Sequence, residues 1–138
     1  MNIHFSSKTN EWSTPQDFYD ELNKEFNFTL DPCCTKKTAK CDKFYTEEED
    51  GLTQSWDGEV VFMNPPYGRV IGQWIKKASE IKNGIVVCLI PSRTDTRYFH
   101  DYLYKKKNVK LRFLKGRLKF GGAKNAAPFP SLLAIIKS

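Results

Sequence analysis

Apolar positions along this chain switch between a helical and a strand period, and the switch points outline its elements. Phe18, Leu22 and Phe26 lie four residues apart on one helical face. Thr14 reads as an N-cap, Pro15 suits the first helical position, and Asp17 completes an approximate capping box. The pattern predicts a helix from Pro15 to Glu25. Phe28-Thr29-Leu30-Asp31 reads as a short strand stopped by Pro32. Residues 33–57 are polar and irregular, with room for a short strand near Phe44-Tyr45. Their lysines between Lys36 and Lys40 and the acidic run Glu47-Glu48-Glu49-Asp50 read as solvated loop. Val60 to Met63 is an apolar strand. Ile71, Trp74, Ile75 and Ala78 share one face of a helix expected from Val70 to Ile81.

The unbroken apolar run Ile85-Val86-Val87-Cys88-Leu89-Ile90 suits a strand covered on both faces. A third helix follows, capped by Ser92 or Thr94, with Phe99, Tyr102 and Leu103 inward and Lys105-Lys106-Lys107 at its end. Val109 to Leu114 alternates basic and apolar residues as a half-exposed strand does, and Leu132 to Ile136 is a last apolar strand. Between them, 115–130 is a Gly- and Lys-rich excursion without helical periodicity, so these two strands should form an antiparallel hairpin. Strand–helix alternation ending in a hairpin predicts an α/β fold: an abbreviated, doubly wound, Rossmann-like sheet, mostly parallel.

Composition narrows the class. The chain has 138 residues, 40% hydrophobic and 14% aromatic, which suits one globular domain over 1–138. Residues 1–11 read as a loose arm, and no separate target-recognition domain is expected. There is no apolar run long enough to span a membrane and no leader-like N-terminus, which points to the cytoplasm. A net charge of +6 favours nucleic acid as a partner. The four cysteines, Cys33, Cys34, Cys41 and Cys88, form no Cys-x-x-Cys, so no metal site is expected. Cys88 reads as an inert buried thiol.

The densest chemistry lies at Asn64-Pro65-Pro66-Tyr67. Proline has no N–H for a ladder, so the strand before it must end at Met63. Asn64 is thereby left at the C-terminal mouth of the strand, where open α/β sheets bind ligands. Asn64 offers a side-chain carbonyl, Pro65 a backbone carbonyl of restricted direction, and Tyr67 a flat aromatic face. Two acceptors and a stacking plate suit a planar group bearing an NH₂, such as adenine. Its amine is a poor nucleophile because the lone pair is delocalised into the ring. Acceptors on both hydrogens favour a pyramidal nitrogen able to attack an electrophilic methyl, by positioning and fixed dipoles. Stacking of a flipped base on Tyr67 is worth roughly 1–3 kcal/mol.

Further motifs stand in order along the chain: Trp12-x-Thr14-Pro15, Leu30-Asp31, Asp50-Gly51-Leu52 with Trp56, Asn64-Pro65-Pro66-Tyr67-Gly68, and Trp74. After them come Ile90-Pro91-Ser92-Arg93-Thr94-Asp95-Thr96-Arg97, Gly116-Arg117-Leu118-Lys119-Phe120 and Ala127-Pro128-Phe129-Pro130-Ser131. Together they resemble the phage DNA N-6-adenine methyltransferase family over nearly the whole chain. The resemblance implies S-adenosylmethionine as methyl donor and DNA adenine as acceptor. It implies a catalytic role for Asn64, Pro65, Pro66 and Tyr67. It places Thr14 and Pro15 near the methionine end of the cofactor, and Asp31 in the loop after the first strand. Thr14 could bond a carboxylate and Asp31 an ammonium group, with Asp50 near the adenosine. In one respect the chain departs from cofactor-binding methyltransferases: Asp31 is followed by Pro32-Cys33-Cys34-Thr35-Lys36, with no glycine until Gly51.

Arg69, Arg93 and Arg97 follow the two central strands and are candidate phosphate contacts. Arg117, Lys119 and Lys124, with Phe120 among them, suit a clamp or wedge on DNA. Cytosine N4, RNA or a protein amide also presents a planar amine to such a turn, and a DNA-binding protein without catalysis is the alternative of another class.

Overall fold

The computed structural model describes residues 13–122 and 126–138. The expected arm over 1–11, Trp12 and Lys124 lie outside the described residues. The elements are α1 (Gln16–Phe26), β1 (Val60–Met63), α2 (Ile71–Ser79), β2 (Ile85–Pro91), a π-helical turn (Phe99–Leu103), β3 (Val109–Phe113) and β4 (Ser131–Lys137). Short 3-10 turns occur at Gly51–Thr53 and Phe120–Gly122. The third helix is therefore only a short turn, yet Phe99 and Leu103 are buried in it as their spacing requires.

The strand order is β1-β2-β4-β3. β1 pairs with β2 in parallel, whereas β2–β4 and β3–β4 are antiparallel. The terminal hairpin is present, but the expectation of a mostly parallel sheet is overturned. β4 returns from the hairpin and inserts between β2 and β3, so two of the three pairings become antiparallel. Three strands, β1, β2 and β3, still run the same way, and their C-terminal ends share one edge. Beyond β1 the parallel side shrinks to two isolated bridges, Leu30 to Val61 and Asp31 to Phe44. Pro32, with no N–H, stops that segment where the sequence says it should.

Helices cover both faces. Alternate residues of the strands point to opposite sides. Val61, Met63, Val86, Cys88, Ile90, Leu132, Ala134 and Ile136 pack with Trp74, Ile75 and Ala78 of α2 and with Phe99 and Leu103. Phe62, Val87, Leu89, Leu133 and Ile135 pack with Tyr19 and Leu22 of α1 and with Phe120 and Phe129. This double cover explains why β2 and β4 are apolar runs rather than alternations. Cys88 is fully buried, as its sequence context indicates.

Asp50-Gly51-Leu52 and Trp56 turn out to brace the loop after Asp31. Trp56 Nε1 donates to the Gly51 carbonyl at 2.9 Å. A Cβ on Gly51 would collide with the Pro32 carbonyl oxygen. Gly51→Ala is therefore expected to cost about 1–3 kcal/mol by overpacking, read as a lower Tm. An unchanged Tm would show that the two loops do not meet this closely.

Candidate functional site

Met63 ends β1, and the Asn64-Pro65-Pro66-Tyr67 turn begins at the shared strand edge. Asn64 Nδ2 donates to Thr14 Oγ1 at 3.1 Å. The Tyr67 hydroxyl donates to Asn64 Oδ1 at 3.0 Å. The amide is thus held at both ends by groups about 50 residues apart and three residues apart. Thr14 is buried, and it makes no side-chain cap on α1. The capping expectation is corrected: the hydroxyl that a cap would use is turned to Asn64 instead.

Asp31 is 3% exposed. Its Oδ1 accepts from Cys33 N at 3.3 Å and its Oδ2 from Lys40 N at 3.0 Å. Burial pushes its carboxyl up to about 7, against the lowering effect of the Lys40 and Cys33 N–H groups. The loop between those two donors is tightened by Thr35 and Thr38, whose side chains and backbone bond each other. A carboxylate gripping backbone N–H groups thereby shapes the segment that lacks glycine.

Asp31, Thr14 and Asn64 line one cleft together with Ser13, Cys33, Lys40 and Phe62. Its volume is about 310 Å³, counting the part open to solvent. Cys34 and Thr38 also border it. Burial raises the Cys33 and Cys34 thiols well above their usual range, so both stay protonated. Sequence reasoning missed these wall residues. The one available signal was Asp31 itself, a carboxylate at a strand end around which a loop could close.

Family comparison covers most of the chain. The profile of the DNA N-6-adenine-methyltransferase (Dam) family matches residues 4–136. The chain belongs to that family. It is 32% identical over 102 residues to the DNA N-6-adenine-methyltransferase of Haemophilus phage HP1, covering 71% of this chain and 59% of that protein. It is 32% identical over 94 residues to the DNA N-6-adenine-methyltransferase of Escherichia phage T1, covering 65% of this chain and 39% of that protein. The chain therefore spans less than two thirds of the length of these relatives.

The other candidates are placed as follows. Pro65 and Pro66 are buried and Tyr67 half-buried. The Tyr67 ring meets Phe120 and Phe129 at near right angles, with centroids 6.4 and 5.6 Å away. Phe120 is 1% exposed, so it is no groove wedge: it is core, and the backbone of Gly121 donates to Ser13 O at 2.9 Å. Pro15 stands at the entry to α1, its carbonyl accepting from Tyr19 N at 3.0 Å. Asp50 does not line the cleft, and its carboxylate accepts from Leu52 N at 3.2 Å. Arg69, Arg93, Arg97, Arg117 and Lys119 are exposed. All five follow the C-terminal ends of β1, β2 or β3, hence the edge that holds Asn64. Among the described residues none of them is in an ion pair.

Proposed function

We propose that this chain transfers a methyl group from S-adenosylmethionine to the N6 amine of adenine in DNA. The observation that carries the reading is the oriented Asn64 amide at the mouth of β1, in one cleft with the buried acid Asp31. Family membership and a net charge of +6 support the same substrate. A cover of helices on both faces and a cleft at the strand ends suit a Rossmann-like methyltransferase fold.

The cleft's donor set fits the amino-acid end of the cofactor. Asp31 would take its ammonium group and Thr14 its carboxylate, and the bound cofactor would supply an electrophilic methyl group. The chain's own part is to hold the amine. Asn64 Oδ1 and the Pro65 carbonyl accept its two hydrogens, localising the lone pair on nitrogen. The incoming amine takes up the amide oxygen beside or in place of the Tyr67 hydroxyl. Tyr67 supports the flipped base. Preorganised acceptors of this kind are worth about 10²–10³ in rate. Transfer of labelled methyl from S-adenosylmethionine to unmethylated duplex DNA, RNA and protein tests the substrate. Label in DNA is expected. Label in RNA or protein but not DNA would refute it.

The exposed cations after the C-terminal strand ends are the proposed phosphate contacts. Arg93→Ala should weaken DNA binding and lower the slope of log affinity against log salt by about 1. An unchanged slope would remove Arg93 from the interface.

A further inference from the structure

Thr14 touches both halves of the site. Its side-chain oxygen accepts from Asn64 Nδ2 at 3.1 Å, and the same residue lines the cleft with Asp31. A threonine hydroxyl has one hydrogen to donate besides the lone pairs that accept. With Asn64 as donor, that hydrogen is directed to another acceptor, and among the described residues no such acceptor is paired with it. Thr14 is 5% exposed and does not cap α1, so helix capping does not account for its place. An anionic group in the cleft would complete the chain of donors: ligand carboxylate, Thr14 hydroxyl, Asn64 amide. Polarised in series, each hydrogen bond strengthens the next.

We propose, resting on the methyl-transfer reading, that Thr14 is a positioning residue that couples the cofactor cleft to the catalytic amide. Donating to the ligand's carboxylate makes its oxygen a better acceptor for Asn64 Nδ2. That fixes which way the amide faces, with Oδ1 toward the substrate amine. The cofactor thereby prepares the base-holding group before the base arrives. Such a link between two ligands is reciprocal. The relevant ligand chemistry is an α-amino acid carboxylate, not the adenosine part of the cofactor.

The test uses the full chain and the side-chain amide NMR signal of Asn64, identified by its loss in Asn64→Ala. S-adenosylhomocysteine carries the carboxylate, and 5′-methylthioadenosine lacks it. In the wild type, the first is expected to shift the Asn64 signal and the second to leave it in place. Thr14→Val keeps the shape without the hydroxyl. It should abolish the shift and lower kcat on unmethylated DNA about tenfold, the order of one lost hydrogen bond. Thr14→Ser should restore both to within about threefold. A valine variant with the wild-type shift and kcat would overturn the relay, and so would a wild-type response to both ligands alike. A wild type that transfers no methyl and binds neither ligand would instead bring down the methyl-transfer reading, and the relay with it. Loss of stability alone would raise no distinction between the two ligands, so the ligand comparison separates positioning from packing.

Discussion

Asn64→Ala is expected to lower methyl transfer at least a hundredfold while leaving the fold and DNA affinity close to wild type. Asn64 follows the end of β1 and contributes no side chain to the sheet core, which is built from Val61, Phe62 and Met63 before it. Its amide bonds Thr14 and Tyr67, and each hydrogen bond of this kind contributes about 1 kcal/mol to stability. The expected effect on rate is far larger, because in the proposed reaction the acceptor acts where charge develops on the attacking nitrogen. Kinetics at saturating DNA and cofactor check this, alongside thermal unfolding and DNA titration. A variant that retained most of its activity would detach catalysis from this turn.

Asp31 should impose a distinctive pH dependence on cofactor binding. Its carboxyl is pushed from 3.8 up to about 7, chiefly by burial. In an unfolded chain the group releases its proton near the ordinary value. Between the two values the folded protein holds a proton that the unfolded chain has lost. The stability associated with this group is fully present below about 4 and is lost as pH rises through about 7. A bound cation reverses the balance, since it favours the ionised carboxylate. Affinity for S-adenosylmethionine should therefore fall about tenfold per pH unit below 7. An α-ammonium group loses its own proton near 8, so the optimum should lie at about 7 to 8. Asp31→Asn should bind at least about thirtyfold more weakly, the cost of removing one partner of a buried charged pair. It should also lose the acid limb. Calorimetric titration from pH 5.5 to 8.5 reads both effects, and an acid limb that persists in the asparagine variant would assign it to another group.

Much of this architecture was legible locally. The proline pair after Met63 fixed the end of β1, the apolar run at Ile85 located β2, and four-residue spacing located α1 and α2 to within a few residues. The place of Asn64 just past a strand end followed from the same prolines. What the sequence did not reveal was partner choice between distant elements. Periodicity marks β4 as buried on both faces, but nothing local says that it lies between β2 and β3. The same limit hid the partner of Thr14. Before Pro15 it satisfies every local rule for a cap, and only the approach of β1, fifty residues later, reveals its partner.

Phe120 misled for a related reason. It sits among Lys119, Gly121 and Gly122, a setting that reads as exposed loop. The turn folds back so that its ring packs on Tyr67 and Phe129 instead. Cys33 and Cys34 sit in a polar stretch and are nonetheless buried, because the loop closes on Asp31. In each case tertiary hydrogen bonds or ring contacts outweigh the local composition. The cations at Arg69, Arg93 and Arg97 were easier, since charge without a partner stays at the surface and strand direction alone gives the edge.

The most direct test of the central claim is nucleoside mass spectrometry of unmethylated DNA incubated with the purified chain and S-adenosylmethionine, with Asn64→Ala in parallel. N6-methyladenine formed by the wild type and not by the variant is the expected result. A wild type that yields only N4-methylcytosine, or no methylated base while it still binds DNA, would contradict it.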